Sequence, residues 1–433
     1  MIDKYKKHGV FDPMLSEIKA GRAHIASREI RVGFWTPVWC TGGVEQYHLA
    51  AIEACRQFGH RVRWSMLCID PSGRVHPDMV RRAADHVRIT RDPADLIASC
   101  DVIVVWAIHD ISSLARFIER GGRVIVIQHG DNTWSRIWML ALLKSARAFA
   151  DKLTLVAVSD SSAEGCRQVD GGWPVIIVGG SDLNRIAPSR PRDEIRRTMG
   201  LQPDQFAIGF VGRFSSEKNP GMVARIVGKL GGAFVAVYHG HALGDDTQLK
   251  AQIFRDSGGR AVIWGRDMPT GDVFSAIDCL VMASPQEAGP LVVIEAWLAG
   301  VPVVSTPVGL VKEHPAWVTH VAKHDDVDAF SGAIANLRRV ILTNDAATLA
   351  LWSRISREAA EIFSLPAFAD RWERCITELV GEGNVNSDQH LSESGVRAAG
   401  AAERKDSDGD VGGSGKGATE LGAEGIDVSE AAA

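Results

Sequence analysis

The chain has no Cys-x-x-Cys pair, and its seven cysteines, Cys40, Cys55, Cys68, Cys100, Cys166, Cys279 and Cys375, are scattered and odd in number. Such a set supplies neither a disulfide framework nor the paired thiolates of a structural zinc site. It fits a reducing compartment, so a cytoplasmic location is expected. The first residues, MIDKYKKHGVFD, lack the apolar centre of a secretory signal, and no apolar run is long enough to cross a bilayer. No short-period repeat of the solenoid kind is found. Nor is there a strong excess of either charge: the formal net of -5 offers no basis for nucleic-acid binding.

That small net charge is unevenly placed. From Asn384 onward ten acidic residues stand against four basic ones, whereas before it 44 basic and 43 acidic residues nearly cancel. The same stretch is rich in Gly, Ala and Ser and has no aromatic residue, so it cannot bury enough apolar surface to offset its conformational entropy; residues 384–433 read as a disordered acidic tail. Within it, DSDGD resembles the opening of a calcium loop. Val411 occupies the glycine position, however, and no Glu stands twelfth, which leaves a solvated segment.

What is present in the remaining length, with 45% apolar residues overall, is enough for two cores. Short β-branched runs alternate with amphipathic stretches. REIRVGFW, CDVIVVWA, GGRVIVIQ and KLTLVAVS read as strands in the first half, and FAIGFVG, AFVAVYH, AIDCLVMA and VPVVST in the second. Between them GVEQYHLAAIEACRQFG and NPGMVARIVGKLGG have helical spacing with a closing glycine. Alternation of this kind implies parallel sheets covered on both faces, and it occurs twice. VGGSDLNRIAPSRPRDEI marks the join. The expected organisation is a Rossmann-like domain over 1–188, a second Rossmann-like domain over 189–365, a final helix at 366–383 packing back on the first domain, and the tail.

In open parallel sheets ligands sit beyond the carboxyl ends of the strands, so the loops there deserve the closest reading. In IDCLVMASPQEAGPLVVIEAWLAGVPVV the strand is followed by a loop bearing Glu287. Pro290 is expected to open a helix that carries Glu295, and Gly300 to stop it. The amino end of such a helix, at Leu291, offers N–H groups and a positive dipole to an anion such as a diphosphate. Two carboxylates astride an anion site cannot hold phosphate. They suit neutral hydroxyls on either side of it, as a sugar and a ribose present.

This segment resembles the glutamate-x7-glutamate signature of the retaining glycosyltransferases called glycosyl transferases group 1 (glycosyltransferase family four), which have the GT-B architecture of two Rossmann-like domains facing a cleft. The strand, Ser284, the Gly-x-Pro-Val-Val ending and Gly309 match as well; Gly289-Pro290 replaces the usual Phe-Gly, which removes one backbone N–H. The resemblance implies that Glu287 faces the donor sugar, as a catalytic residue, and that Glu295 holds the nucleotide ribose. In GFVGRFSSEKNP it implies that Arg213 and Lys218 bind the donor diphosphate, with Leu291 at the helix start. Side-chain cations would then stabilise the leaving group, with no metal and no cofactor. Gly42 and Gly43 resemble the glycine loop that approaches the donor from the first domain, and His129, after VIVIQ, resembles a histidine near the reacting sugar, a second catalytic candidate. Tyr238 stands where the family has a glycine and is expected to reshape the donor pocket. Gly265 lies near the base. The stretch around Asp182 and Pro188 is expected to be structural.

The resemblance thus implies a metal-independent hexosyltransferase. It would use a UDP- or GDP-linked nucleotide sugar and a glycan or lipid-linked acceptor, in polysaccharide or glycolipid biosynthesis. Front-face substitution, with the leaving phosphate helping to deprotonate the acceptor, ranks ahead of double displacement through Glu287. A sugar-nucleotide epimerase of similar fold and a non-catalytic nucleotide-sugar-binding scaffold are the alternatives. TWSRIWMLALLKSARAFADK mixes Trp134, Trp138, Met139, Leu142 and Leu143 with Arg136, Lys144, Arg147 and Lys152. That composition fits either a core helix or peripheral contact with the inner face of a membrane.

Overall fold

The computed structural model describes residues 29–108, 110–130, 152–170, 174–242, 244–265 and 268–381. The Trp134–Arg147 stretch and the acidic tail from Asn384 lie outside the described residues, as do their assignments above.

Two parallel sheets organise the described chain. The first contains β1 (Ile30–Thr36), β2 (Val62–Ile69), β3 (Arg88–Thr90), β4 (Val102–Val105), β5 (Arg123–Gln128), β6 (Leu153–Ala157) and β7 (Val175–Ile176), in the order β3-β2-β1-β4-β5-β6-β7. The second contains β8 (Phe206–Val211), β9 (Phe234–His239), β10 (Ala261–Trp264), β11 (Cys279–Met282), β12 (Val303–Ser305) and β13 (Thr319–His320), in the order β10-β9-β8-β11-β12-β13. The eight strands read from β-branched runs all form. They are the central ones, buried on both faces, and burial on both faces is what makes a strand a continuous apolar run. The five that the sequence reading missed are β2, whose run is broken by Arg63 and Ser65, and the short edge or near-edge strands β3, β7, β10 and β13.

Each sheet has an apolar cluster on either face. In the first, Phe34, Tyr47, Ile52, Leu67, Phe368 and Trp372 lie on one side; Trp35, Leu96, Phe117 and Val126 lie on the other. Phe368 and Trp372 come from the last helix, Leu365–Leu379, which leaves the second sheet behind and packs on the Gly43–Phe58 helix. Its return is pinned where Ser181 N donates to the Phe363 carbonyl at 2.9 Å and where Arg371 donates to the carbonyls of Ile362 and Val178 at 2.7 and 3.3 Å. The second sheet is likewise sandwiched, by Phe274, Ile294 and Trp297 on one face and by Met222, Ile226 and Phe330 on the other. Tyr238 belongs to that last cluster. It is fully buried and its hydroxyl donates to the Pro220 carbonyl at 2.9 Å, so it fills the core beneath the second sheet rather than reshaping a donor pocket.

Both strand orders reverse at a single place, between β1 and β4 in the first sheet and between β8 and β11 in the second. Strand order therefore opens a crevice at the carboxyl ends of those four strands. The loops that carry Gly42, Arg213, Lys218 and Glu287 follow β1, β8 and β11.

Candidate active site

After β11 the chain makes a loop and then the Leu291–Leu298 helix, with Pro290 in the cap position rather than inside it. Glu295 is thus the fifth helical residue, on the buried side. The loop that presents Glu287 is closed from behind by Gly309, whose φ of 49° suits glycine. A Cβ there would lie 2.1 Å from the Ala288 carbonyl oxygen and 2.5 Å from that of Glu287. Leu310 N donates to the same Ala288 carbonyl at 2.7 Å. Leu291 packs against Gly179, where any side chain would meet it at 2.5 Å.

The carboxylates that flank this helix start each have a cation. Lys218 Nζ donates to Glu287 Oε1 at 2.6 Å, linking the loop after β8 to the loop after β11. Arg185 NH2 lies 2.9 Å from Glu295 Oε1, which also accepts from Ser181 Oγ at 3.5 Å. Burial raises the Glu295 carboxyl above its ordinary range and the Arg185 charge opposes that rise. Arg213 pairs with Glu217 in its own loop. Burial raises the Glu45 carboxyl above its ordinary range, opposed by backbone hydrogen bonds, including that from Cys40, and by the Arg213 charge.

The glycine loop after β1 runs into the Gly43–Phe58 helix. Glu45, in the first turn and 5% exposed, reaches back so that Oε1 accepts from Cys40 N at 3.1 Å. A Cβ on Gly42 would stand 2.7 Å from Glu45 Oε2, whereas one on Gly43 would meet nothing within 4 Å. Thr41 Oγ1 and His241 Nε2, 2.8 Å apart, join this loop to the one after β9. His129 follows β5, its Nε2 2.9 Å from His48 Nε2. Burial pulls His129 down to about 3 and lowers His48 as well.

The structure therefore joins Lys218 to Glu287, in the loop that leads into the helix bearing Glu295, and leaves Arg213 paired with Glu217. His129 stands apart from these cations, among His48, Tyr47 and Trp106. Sequence reasoning missed Arg185, assigned to a structural stretch, because nothing local marks a join residue that closes on a glutamate 110 positions later. Glu45 and His48 had no signal of their own in an amphipathic helix that also carries Gln46, Glu53, Arg56 and Gln57; only the fold shows them buried. The Asp326-Val327-Asp328 triplet, a spacing that elsewhere holds metal, is occupied structurally: Asp326 Oδ1 accepts from Ala329 N at 2.8 Å as a helix cap, and Asp328 pairs with Lys229.

Residues 205–339 match the family model described as glycosyl transferases group 1. A D-inositol 3-phosphate glycosyltransferase of Mycobacterium marinum is 33% identical over 199 residues, 44% of this chain and 41% of that one. The UDP-Gal:alpha-D-GlcNAc-diphosphoundecaprenol alpha-1,3-galactosyltransferase of Escherichia coli is 25% identical over 213 residues, 44% of this chain and 52% of that one. These matches span about half the length of each relative. Among solved structures, Anabaena HepE in complex with UDP-glucose superposes with a TM-score of 0.65 at 17% identity, over 81% of this chain and all of the other. That likeness shows the fold, GT-B: two Rossmann-like domains.

Proposed function

We propose that the chain, whose residues 205–339 match the glycosyl transferases group 1 model, is a retaining glycosyltransferase that moves a hexosyl unit from a nucleoside-diphosphate sugar to a glycan or lipid-linked acceptor without a metal. The observation that carries the reading is the meeting of Lys218, Glu287 and the Leu291 helix start at the switch point of the second sheet. A diphosphate placed there takes Lys218 and Arg213 in exchange for their present carboxylate partners and lies on the amino end of the helix. Glu287, freed from Lys218, then accepts from sugar hydroxyls and faces the developing positive charge at the anomeric carbon. Glu295 accepts from the ribose. Leaving-group charge is met by side-chain cations, and the departing phosphate oxygen takes the acceptor proton.

The second sheet is the donor half and the first, to about residue 188, the acceptor half. A UDP-linked donor is supported by the Anabaena protein, solved with UDP-glucose. A lipid-linked acceptor is supported by the Escherichia coli relative, whose name pairs UDP-Gal with a diphosphoundecaprenol-bound sugar. The polysaccharide or glycolipid setting and the inner membrane face follow from that acceptor. The test is to incubate the purified chain with UDP-, GDP- and ADP-sugars, with and without oligosaccharide and polyprenyl-diphosphate acceptors, in chelator, and to follow nucleotide release and the anomer formed. Acceptor-dependent release with a retained anomer supports the proposal. Sugar isomerisation without an acceptor points to an epimerase, and binding without either reaction to a scaffold.

A further inference from the structure

Behind His129 lies a second imidazole that the donor reading leaves unused. His48 sits in the Gly43–Phe58 helix with no exposed surface, its ring stacked on Phe34 of β1 with centroids 3.6 Å apart. Tyr47 stands edge-on to both histidines, at 5.3 and 4.9 Å, and is itself fixed by donation of its hydroxyl to the Ile177 carbonyl at 2.7 Å. The 2.9 Å between the two Nε2 atoms is a hydrogen-bonding distance. Burial keeps both rings below the ordinary histidine range, so near neutral pH the pair is uncharged. One facing nitrogen therefore carries a proton and the other a lone pair.

Which ring donates follows from the far side of His48. Its Nδ1 is buried with no hydrogen-bond partner. An orphaned buried N–H is rarer in native proteins than an under-satisfied acceptor, and leaving it unpaired forfeits a full hydrogen bond. The proton of His48 belongs on Nε2, where it has an acceptor.

We propose that His48 is a positioning residue for the transfer reaction: its Nε2–H, donated to His129 Nε2, forces the His129 proton onto Nδ1 and so decides which hydrogen-bond donor that ring offers a substrate oxygen. The tautomer stands on the 2.9 Å contact, the orphaned His48 Nδ1 and the neutrality of both buried rings; its use in transfer rests on the proposed function. In water an imidazole favours the proton on Nε2, so His48 holds His129 in the form it would otherwise populate less. The partner of one ring nitrogen fixes the state of the other.

Nitrogen-15 NMR of histidine-labelled protein at neutral pH reads both tautomers directly. Wild-type protein is expected to show Nε2–H on His48 and Nδ1–H on His129. His48→Phe keeps the stack on Phe34 but has nothing to donate, so the constraint on His129 is released: an Nε2–H population absent from wild type appears beside Nδ1–H, and UDP-glucose binding weakens severalfold while UDP binding is unchanged. His48→Gln, which offers an amide N–H, restores the Nδ1 proton and most of the affinity, and its spectrum carries the test if the Phe variant does not fold. An Nε2-protonated His129 in the wild type, or the same His129 tautomer in wild type and His48→Phe, overturns the proposal. If the tautomers are as expected but His48→Phe weakens UDP-glucose no more than it weakens UDP, the assignment of His129 to the donor sugar fails, and with it His48's part in the reaction.

Discussion

At the carboxyl end of the second sheet the charged groups are already matched: Lys218 with Glu287, Arg213 with Glu217, Glu295 with Arg185. At the carboxyl end of the first sheet the corresponding positions hold two glycines and an uncharged imidazole pair, and Glu45 is turned back onto the Cys40 amide. The two ends differ in what they ask of a ligand. A loop that must accept a diphosphate concentrates cations, and before the ligand arrives those cations repel one another unless carboxylates stand in for the anion. A wall that meets neutral hydroxyls needs only fixed donors and room, which glycine and a neutral histidine supply.

The comparison can be broken at several points. The largest effect is expected where the halves are tied together. Trp372 follows the second sheet in sequence but is fully buried in the core of the first. Trp372→Ala should cost about 3–5 kcal/mol in chemical denaturation, and the transition should split, the first half melting ahead of the second; a single unsplit transition would mean that the halves unfold as one unit.

Next in size is Lys218→Ala. It should lower transfer roughly 100-fold by removing a cation at the leaving group, whereas Lys229→Ala, at an exposed pair with Asp328 on the same domain, should leave the rate unchanged. Equal rates for both variants would remove the distinction between a functional and an ornamental ion pair.

A smaller effect concerns a clasp between the halves. Glu313, after β12, accepts from Asp160 N at 2.7 Å at the start of the Asp160–Asp170 helix in the first half. Burial and the neighbouring Asp160 push its carboxyl up to about 7. A folded-state value above the unfolded one means that the native chain keeps a proton the unfolded chain has lost, so stability falls as pH rises from the ordinary carboxylate range through about 7. The Tm of wild type should therefore drop by a few degrees relative to Glu313→Gln between about pH 5 and about pH 8. Parallel curves would show that the clasp does not titrate there.

The smallest change is Gly43→Ala. The added methyl meets nothing within 4 Å and should stabilise the free protein by about 0.5 kcal/mol, yet weaken UDP-glucose binding, because the space it enters is the approach to the donor. Unaltered binding would assign that space to the acceptor side alone.

Local pattern carried much of the fold. β-Branched runs bounded by glycine located the central strands, since a strand buried on both faces must be apolar throughout. The glutamate loop, the Leu291 helix and its stop at Gly300, which has a φ of 70°, were legible for the same local reasons. Edge strands such as β3 and β13 were not, because a strand covered on one side can tolerate the polar residues that disguise it.

The amino-acid sequence by itself determined that there are two layered α/β units, which loops carry Arg213, Lys218 and Glu287, and that Glu295 lies on the helix that follows, because propensity, periodicity and capping act over a few residues. Tertiary structure alone decided that Arg185 closes on Glu295, that Lys218 holds Glu287, that His48 backs His129, and that Tyr238 is core. The three side-chain pairings join residues 69, 81 and 110 positions apart; such contacts exist only once strand order has brought separate segments to one crevice.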